Sequence, residues 1–373
     1  MKIGILTFHR AHNYGALLQC YALKTYLSNL GHNVQIIDYW PTYHSREYRL
    51  LPNFKSRSLL GKIKAILLLS IGIRRIINRS KRYNKFIYEN FNLGRVPVYE
   101  NAALIKFCEF DLVVYGSDQI WRNSKFSHYN GFDDVYWGEY PQFVKRKISY
   151  AASMGILDSC SKSIAFYKRK LRNFNDVSVR EQALKSLINS ICEIPVSVVL
   201  DPVFLLEKTE WETLSKKSTI KTTSNKYLFF YFLMTSSKEA INVANEISRR
   251  KKLSIIETRG RVNPALIGKR YFQTPSPIDF IQLICNADFI ITTSFHGLAF
   301  SLLFEKQFYA MGMGENSERA KSLLRLLGLE NRYLGNCILP KEIESICYDE
   351  VTPKLLKAKQ NSYEFLKRNL EYE

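Results

Sequence analysis

The sequence lacks the glycine-rich loops that mark the common nucleotide-binding sites. Neither a G-x-x-x-x-G-K-[ST] loop nor a G-x-G-x-x-G run occurs in its 373 residues. Its seven cysteines are scattered, with no C-x-x-C pair and no histidine at ligand spacing, so they predict neither a disulfide framework nor a zinc site. The pair Asp133–Asp134 lacks the intervening residue of a metal-binding acidic pair and is typical of a solvated turn. We therefore expect no metal and no cofactor cradled by a glycine loop.

A secretory leader is also missing from the pattern at the start. Met1 leads directly into the apolar stretch Ile3 to Phe8, without a basic start, a long apolar core and a small-residue cleavage site. Cysteines without a pairing framework are typical of a reducing compartment. The sequence therefore predicts a cytosolic protein.

Acidic residues are few relative to basic ones. The chain has 34 Asp and Glu against 54 Lys and Arg, a net charge of +20, which indicates an acidic partner. The imbalance is strongest in the segment 55–95, where Glu89 is the only acidic residue. Its apolar centre, 59–77, is interrupted by Lys62 and Lys64 and is too short to span a bilayer comfortably. Two interpretations stay open: a basic amphipathic helix on an anionic membrane surface, or a core helix with a solvated basic end. No nucleic-acid-binding motif occurs, so nucleic acid is not an expected partner.

Short apolar runs alternate with helical patterns in two successive sets. Such alternation predicts largely parallel sheets covered by helices, and the length suggests two domains. We therefore predict an α/β protein with two doubly wound, Rossmann-like domains facing each other across a cleft. The first covers residues 1–205 and the second 206–350. A C-terminal helix, 351–373, is expected to pack back near the domain junction.

Ligands of open parallel sheets bind beyond the carboxyl ends of the strands, so polar loops that follow strands are candidate sites. The most informative is the loop 292–297, where hydroxyl groups and His296 follow a strand and precede a helix predicted to begin at about Gly297. Hydroxyls and free helix N–H groups suit phosphate or carboxylate oxygens, and an imidazole can transfer a proton. The alternative is that His296 caps the helix and the hydroxyls close the turn.

Three further loops have polar side chains at strand ends. His12 and Asn13 follow the first strand, Asp118 and Gln119 follow a tight Gly-Ser turn, and Arg180 ends a later strand. A carboxylate can accept a proton or bind a sugar hydroxyl, and a guanidinium fits a carboxylate or phosphate. The simpler interpretations are an N-cap, a turn residue and a surface ion pair, respectively.

Several segments, taken in order, resemble the polysaccharide pyruvyl transferase family. They are NYGALLQCYAL (13–23), DLVVYGSDQIW (111–121), SYAASMG (149–155), SVREQ (178–182), LDPVFLL (200–206), FIITTSFHGLAFSLLF (289–304) and GENSERAKSLLRLLGLENR (314–332). The resemblance runs from residue 3 to about 333. It implies a fold like that of GT-B glycosyltransferases, phosphoenolpyruvate as donor and a sugar hydroxyl pair as acceptor. The product would be a pyruvate ketal on a bacterial surface glycan.

One position departs from the family pattern. Members of the family tend to have an Arg two residues before the family His, and this chain has Ser294 there. Phosphoenolpyruvate has two anionic groups, so a second cation besides Arg180 is expected. The candidates are Arg259, Arg261, Lys306 and Arg319.

The resemblance and the loop positions together give a set of expected roles. His296 is expected to donate a proton or bind phosphate, and Asp118 to act as a base on the acceptor hydroxyl. The expected donor-binding residues are Arg180, Thr293, Ser294, Gly297 and Arg319; the expected acceptor-binding residues are His12, Asn13, Tyr14 and Gln119. Phosphoenolpyruvate is a co-substrate, and no other cofactor is expected. The acceptor would be a glycan or a polyprenyl-diphosphate-linked oligosaccharide, reached at the inner face of the cytoplasmic membrane. The alternatives are a nucleotide-sugar-dependent GT-B glycosyltransferase and a non-catalytic glycan-assembly protein.

Overall fold

The computed structural model describes residues 1–48, 58–93, 97–100, 109–126, 129–142, 144–221, 226–233, 238–268, 270–335 and 338–371. The strands in these ranges are β1 (Lys2–Leu6), β2 (Asn33–Ile36), β3 (Leu112–Tyr115), β4 (Ser124–Phe126), β5 (Tyr129–Gly131), β6 (Arg146–Ala152), β7 (Asp176–Val179), β8 (Val196–Val198), β9 (Tyr227–Phe232), β10 (Ser254–Arg259), β11 (Phe289–Thr292), β12 (Gln307–Met311) and β13 (Tyr333–Leu334). The α-helices are α1 (Tyr14–Asn29), α2 (Thr42–Ser45), α3 (Leu59–Phe91), α4 (Ser161–Leu171), α5 (Gln182–Ile191), α6 (Lys208–Ser215), α7 (Lys238–Lys251), α8 (Pro277–Cys285), α9 (Phe295–Leu303), α10 (Glu318–Leu327) and α11 (Tyr348–Leu370).

The first sheet is parallel, with the strand order β2-β1-β3-β6-β7-β8. Ile5 of β1 pairs with Ile36 on one side and with Val114 on the other. All four residues of β3 are buried, as expected for a strand covered by helices on both faces. The chain leaves β1 for β2 on one side and later returns to β3 on the other. The order therefore reverses between β1 and β3, and the crevice beyond their carboxyl ends is where such sheets bind ligands.

The second sheet is also parallel, with the order β10-β9-β11-β12-β13. Ile291 of β11 pairs with Phe230 of β9 and with Tyr309 of β12. Here the order reverses between β9 and β11. The predicted fold of two parallel α/β sheets is therefore confirmed, whereas the predicted domain boundary at residue 205 stays a prediction.

Helices pack against each other between the two sheets. In α1, Tyr14 stacks on Phe280 of α8, with ring centroids 4.5 Å apart, and its hydroxyl donates to the carbonyl of Pro275. The C-terminal helix α11 returns to the first sheet, where Arg146 donates to the carbonyl oxygen of Asn369 at 3.0 Å. This is the packing near the junction that the sequence predicts. The helix begins at Tyr348, earlier than its predicted start near residue 351.

The basic segment forms the long helix α3; Lys55, Arg57 and Arg95 lie outside the described residues. The carboxyl-terminal half of α3 is buried in the core through Tyr83, Phe86, Ile87 and Phe91. In the middle of α3, three arginines form hydrogen bonds or an ion pair with other parts of the protein. Arg75 donates to the carbonyls of Pro264 and Leu266, Arg79 donates to those of Gly260 and Gln273, and Arg82 pairs with Asp279. Among the helices that the structure describes, none has the length and apolar character needed to cross a bilayer.

Candidate active site

A cavity of about 120 Å³ lies where the two reversals of strand order face each other. Most of the lining comes from loops, and the starts of helices, that follow strands next to a reversal; His44 and Tyr48 from the segment after β2, and Arg319 of α10, complete it. The loops after β1, β3, β9 and β11 contribute Phe8, Ala11, Asn13, Asp118, Gln119, Arg122, Leu233, Ser294, Phe295 and His296. Thus the carboxyl ends of strands from both sheets supply one site; the sequence indicated the loops after β1, β3 and β11 as candidates but not the loop after β9.

Asp201 is the buried centre of a charged group beside the cavity. It follows β8, its side chain is 0% exposed, and its Oδ2 lies 2.7 Å from Nη2 of Arg180 and 3.3 Å from Nε2 of His296. Its Oδ1 accepts from the N–H of Val203 at 3.0 Å. Burial alone would raise the pKa of Asp201, but the neighbouring charges of Arg180 and His296 hold it at about 2. Asp201 is therefore an anion that positions one residue from each sheet.

Two guanidinium groups flank the ring of Phe295. The Cζ atom of Arg180 lies 4.8 Å from the ring centroid, and that of Arg319, from α10, lies 5.5 Å from it. Nε and Nη1 of Arg180 and Nε of Arg319 are buried and have no hydrogen-bond partner among the described residues. Burial, and then the charge of Arg180, lowers the pKa of Arg319. Two adjacent cations with unused buried donors form a site in which a bound anion would replace missing hydrogen bonds.

Glu181 is the acidic neighbour of this pair. Both of its carboxylate oxygens are buried and have no hydrogen-bond partner within the described ranges. Burial raises the pKa of Glu181, opposed by the charges of Arg180 and Arg319. The simpler interpretation of Arg180 from the sequence was a surface ion pair. The structure instead pairs Arg180 with Asp201 and with the hydroxyl of Ser117.

His296 stands in the first turn of α9, because the helix begins at Phe295 and not at Gly297 as expected. Ser294 is the N-cap, and its hydroxyl oxygen accepts from the N–H of Gly297 at 3.4 Å. The imidazole packs against the start of α1, where a Cβ on Gly15 would lie 2.0 Å from Nδ1 of His296. The absence of a side chain at Gly15 therefore lets the two halves of the protein meet at this histidine.

Asp118 and Arg122 line the opposite part of the cavity. Oδ1 of Asp118 accepts from the N–H of Gln119 at 2.8 Å. Arg122 lies over the rings of Phe8 and Phe126, at 5.6 and 5.1 Å from their centroids, and its buried Nε lacks a hydrogen-bond partner in the described part of the chain. Arg122 is a cavity cation that the sequence analysis missed, although it directly follows the segment DLVVYGSDQIW.

Some expected site residues are not in the cavity wall. Tyr14 is fully buried between the sheets. His12 contacts α3 instead, with Nε2 3.1 Å from Oδ1 of Asn84, and burial lowers its pKa to about 4. The Thr293 hydroxyl oxygen accepts from the N–H of Leu233 at 3.2 Å, which links the loops after β9 and β11. Asn13 reaches the cavity while its side chain caps α1.

The positions of the four candidate residues decide which of them could be the second cation. Arg319 lines the cavity beside Phe295. Arg259 pairs with Glu257 at 2.6 Å, and Arg261 pairs with Glu47 at the surface. Lys306 precedes β12, at the amino end of the sheet and away from the cavity. Arg319 is therefore the candidate whose position could compensate for Ser294.

A larger cleft of about 940 Å³ adjoins the same group from the other side. It shares Arg319 and Phe295 with the cavity, and the buried Arg180 and Asp201 form part of its lining. Its outer wall is formed by α5, α10 and α11. The two arginines therefore lie between a small cavity and a wide cleft.

The acidic pair Asp133–Asp134 lies elsewhere and is not the solvated turn that the sequence suggested. Oδ2 of Asp133 accepts from the hydroxyls of Tyr39 and Tyr43, and Oδ1 accepts from the N–H of Val135. These bonds give the buried carboxylate a structural role. Within the described ranges, no group of three or more His, Cys, Asp or Glu side chains is placed to hold a metal ion.

One family model matches most of the chain. The family model described as "Polysaccharide pyruvyl transferase" matches residues 13–314. The chain belongs to the polysaccharide pyruvyl transferase family. The match includes Asp118, Arg180, Asp201 and His296 and ends just before Arg319. Membership implies transferase activity in polysaccharide biosynthesis. Among curated proteins, no sequence matches this one.

Solved structures of similar fold are distant in sequence. The UDP-GlcNAc 2-epimerase of Methanocaldococcus jannaschii, in complex with UDP-GlcNAc and UDP, has a TM-score of 0.52 and 13% identity, with 100% of each chain covered. The UDP-N-acetylglucosamine 2-epimerase of Rickettsia bellii has a TM-score of 0.50 and 11% identity, covering 100% of this chain and 96% of that one. A glycosyltransferase of Rickettsia africae has a TM-score of 0.43 and 14% identity, covering 99% and 97%. At these identities the likeness concerns the fold alone.

Proposed function

We propose that this protein transfers the pyruvyl group of phosphoenolpyruvate to two hydroxyls of a sugar and so forms a pyruvate ketal. The observation that carries the proposal is the pair Arg180 and Arg319, whose buried N–H groups lack partners beside His296. Phosphoenolpyruvate is a small dianionic or trianionic molecule that needs two cationic contacts. A cavity of about 120 Å³ suits such a donor, whereas drug-sized ligands occupy roughly 300 Å³ or more.

The chemistry has two C–O bond-forming steps. A proton is added to C3 of the enol ester while one sugar hydroxyl attacks C2 and loses its own proton to a base. A second hydroxyl then attacks C2, the C2–O bond to phosphate breaks, and the proton of that hydroxyl leaves with the phosphate. The sum is one ketal and one inorganic phosphate, with no change of oxidation state.

Each step has a candidate group in or beside the cavity. His296 is positioned by Asp201, and we assign it proton delivery to C3 or contact with the departing phosphate. Arg180 and Arg319 would bind the carboxylate and phosphate and stabilise the charge that develops as phosphate leaves. The first N–H groups of α9 and the hydroxyl of Ser294 lie at the same end of the cavity.

Asp118 is the proposed base for the acceptor hydroxyl. It lines the cavity together with Gln119 and Asn13, and carboxylate and amide groups are the usual partners of sugar hydroxyls. We propose a glycan or a polyprenyl-diphosphate-linked oligosaccharide as acceptor. The proposed place of action is the cytosol, at the inner face of the cytoplasmic membrane, where a carrier-linked precursor would be accessible.

The direct test is turnover with phosphoenolpyruvate. The purified protein would be incubated with phosphoenolpyruvate and a panel of synthetic or lipid-linked galactosides, mannosides and glucosides. We expect phosphate release together with a mass gain of one pyruvylidene on an acceptor. Sugar transfer from a nucleotide sugar without use of phosphoenolpyruvate would overturn the proposal, and absence of turnover with any donor would favour a non-catalytic role.

Arg319→Gln tests the second cation. Loss of one charge-assisted hydrogen bond costs about 1.5–3 kcal/mol, so kcat/KM for phosphoenolpyruvate should fall roughly 10- to 150-fold. Lys321→Gln is the matched control, because Lys321 is exposed on the same helix and contacts the ring of Tyr333. It should change kcat/KM by less than about twofold. Equal values for both variants would remove Arg319 from the donor site.

A further inference from the structure

The amino-terminal part of α3 exposes a row of large aliphatic side chains. This apolar row consists of Leu59 (74% exposed), Leu60 (80%), Ile63 (49%), Ile66 (56%), Leu67 (59%) and Ile71 (56%). At helical spacing these positions fall within an arc of about 140° and extend about 18 Å along the axis. Contiguous apolar surface of this kind on one helix face marks an interaction site.

The row ends where α3 meets the body of the protein. A Cβ on Gly72 would lie 2.5 Å from Cγ of Pro264, so the helix backbone touches the loop after β10 at this point. Arg75, in the next turn, donates to the carbonyls of Pro264 and Leu266. Ile267, the following residue of that loop, is 75% exposed. The exposed apolar surface therefore begins at the anchored part of the helix and is bordered there by a second exposed aliphatic side chain.

The charge pattern indicates what this surface meets. From Leu59 to Tyr88 the helix sequence has no acidic residue, while Lys62, Lys64 and Arg74 occur in the turns of the apolar row. Arg74 is exposed. A second copy of the same helix would bring like charges together, whereas an anionic lipid surface complements them.

We infer that the apolar row of α3 docks in the interface of an anionic membrane, with the helix lying along the surface. The aliphatic side chains would enter the boundary between headgroups and acyl chains, and the net positive charge of the helix would attract anionic lipid headgroups. Arg75, Arg79 and Arg82 take no part, since they bind the second half of the protein.

The position of α3 connects this surface with the cavity. Arg79, two turns beyond the apolar row, donates to the carbonyl of Gly260, and a Cβ on Gly260 would lie 2.5 Å from the carbonyl oxygen of Leu233. Leu233 lines the cavity. Docking through the row would therefore hold the cavity close to a lipid surface. Presentation of a lipid-linked acceptor rests on the proposed function, but docking itself does not.

The test is vesicle co-sedimentation of the whole protein. Vesicles of phosphatidylcholine would be compared with vesicles in which phosphatidylglycerol makes up roughly one third of the lipid. We expect binding to the anionic vesicles, and its release at high salt. The triple variant Leu60→Gln, Ile63→Gln, Leu67→Gln should bind at least about tenfold more weakly.

The matched control removes three exposed aliphatic side chains from other faces: Leu30→Gln, Ile156→Gln and Leu356→Gln, which are 50, 50 and 56% exposed. It should bind vesicles like the wild type. Equal loss in both variants, unchanged binding of the row variant, or equal binding to neutral vesicles would overturn the inference. A row variant that turns a dimer into a monomer in light scattering, without vesicle binding by the wild type, would assign the row to a second copy instead. Turnover on a short soluble acceptor should be unchanged, which separates failed docking from a failed proposed function.

Discussion

Replacing Asp201 by Asn removes one buried charge with little change of shape. The Asn side chain can still accept from the N–H of Val203, as Oδ1 of Asp201 does at 3.0 Å. What disappears is the anion that lies 2.7 Å from Nη2 of Arg180 and 3.3 Å from Nε2 of His296. Arg180 and His296 would then be left without the carboxylate that they share.

The cost of this change follows from the pKa of Asp201. Although burial raises it, Arg180 and His296 bring it to about 2, below the reference value of 3.8. A difference of roughly two units corresponds to about 2–3 kcal/mol of folding stability. Because the pKa is lowered in the folded state, this stability is present above the unfolded value and is lost only as the pH falls towards about 2. The variant should therefore be destabilised to the same extent throughout the neutral range.

Urea unfolding and steady-state rates would measure the two consequences. We expect Asp201→Asn to lose about 2–3 kcal/mol of unfolding free energy and to lower kcat roughly 10- to 100-fold, since Arg180 and His296 lose their fixed geometry. The control is Asp176→Asn, whose partly exposed carboxylate pairs with Arg368 at 2.8 Å at the opposite end of β7. It should leave kcat unchanged, because Asp176 begins β7 and its carboxylate contacts neither Arg180 nor His296. If Asp201→Asn matched the control in both measurements, the shared carboxylate would not organise this site.

The fold was predictable because each strand is a short buried run and each connection has a helical pattern. The structure shifts some ends by local interactions that spacing does not show. Helix α9 begins at Phe295 because Ser294, and not a later residue, caps it. Helix α11 begins at Tyr348, a few residues before its predicted start near residue 351, and so contains Pro353 in its second turn.

The segment 55–95 shows that the spacing of apolar residues does not tell a buried helix face from an exposed one. A buried helix face and an exposed apolar face have the same spacing, and the two open interpretations both describe parts of α3. Its first half exposes Leu60 and Ile66, and its second half buries Phe86 and Phe91. Only the packing partners, on loops far away in the sequence, distinguish the halves.

The candidate site was partly visible in the sequence because open sheets place functional loops at their strand ends. The structure places Asp118 and His296 in the cavity lining and Arg180 beside it, and their roles stay predictions. Asp201 lies in the segment LDPVFLL, but nothing in the sequence pattern indicates that it contacts Arg180 and His296. Conversely, Tyr14 was expected to bind the acceptor because it lies in the family-like segment NYGALLQCYAL, yet its ring is buried against Phe280. Sequence order cannot show which residues of a loop face the cavity.

Two further predictions concern the close contacts and the histidines of this region. Gly15→Ala should lower activity while Gly335→Ala does not, because a Cβ at Gly15 would lie 2.0 Å from His296 Nδ1, whereas one at Gly335 meets its nearest neighbour at 3.5 Å; equal activities would show that the ring can move without consequence. Acidification should destabilise the protein before Asp201 is protonated, because burial lowers the pKa of His12 to about 4 and that of His44 to about 3, from 6.5. The unfolded chain then binds protons more readily, so stability is present above about pH 6.5 and falls below it, by about 2 kcal/mol per histidine between pH 7 and 5. Urea unfolding at pH 7 and pH 5 should show that the unfolding free energy of His44→Phe falls roughly half as much as that of the wild type. A fall of wild-type size in that variant would mean that His44 is not held neutral by its surroundings.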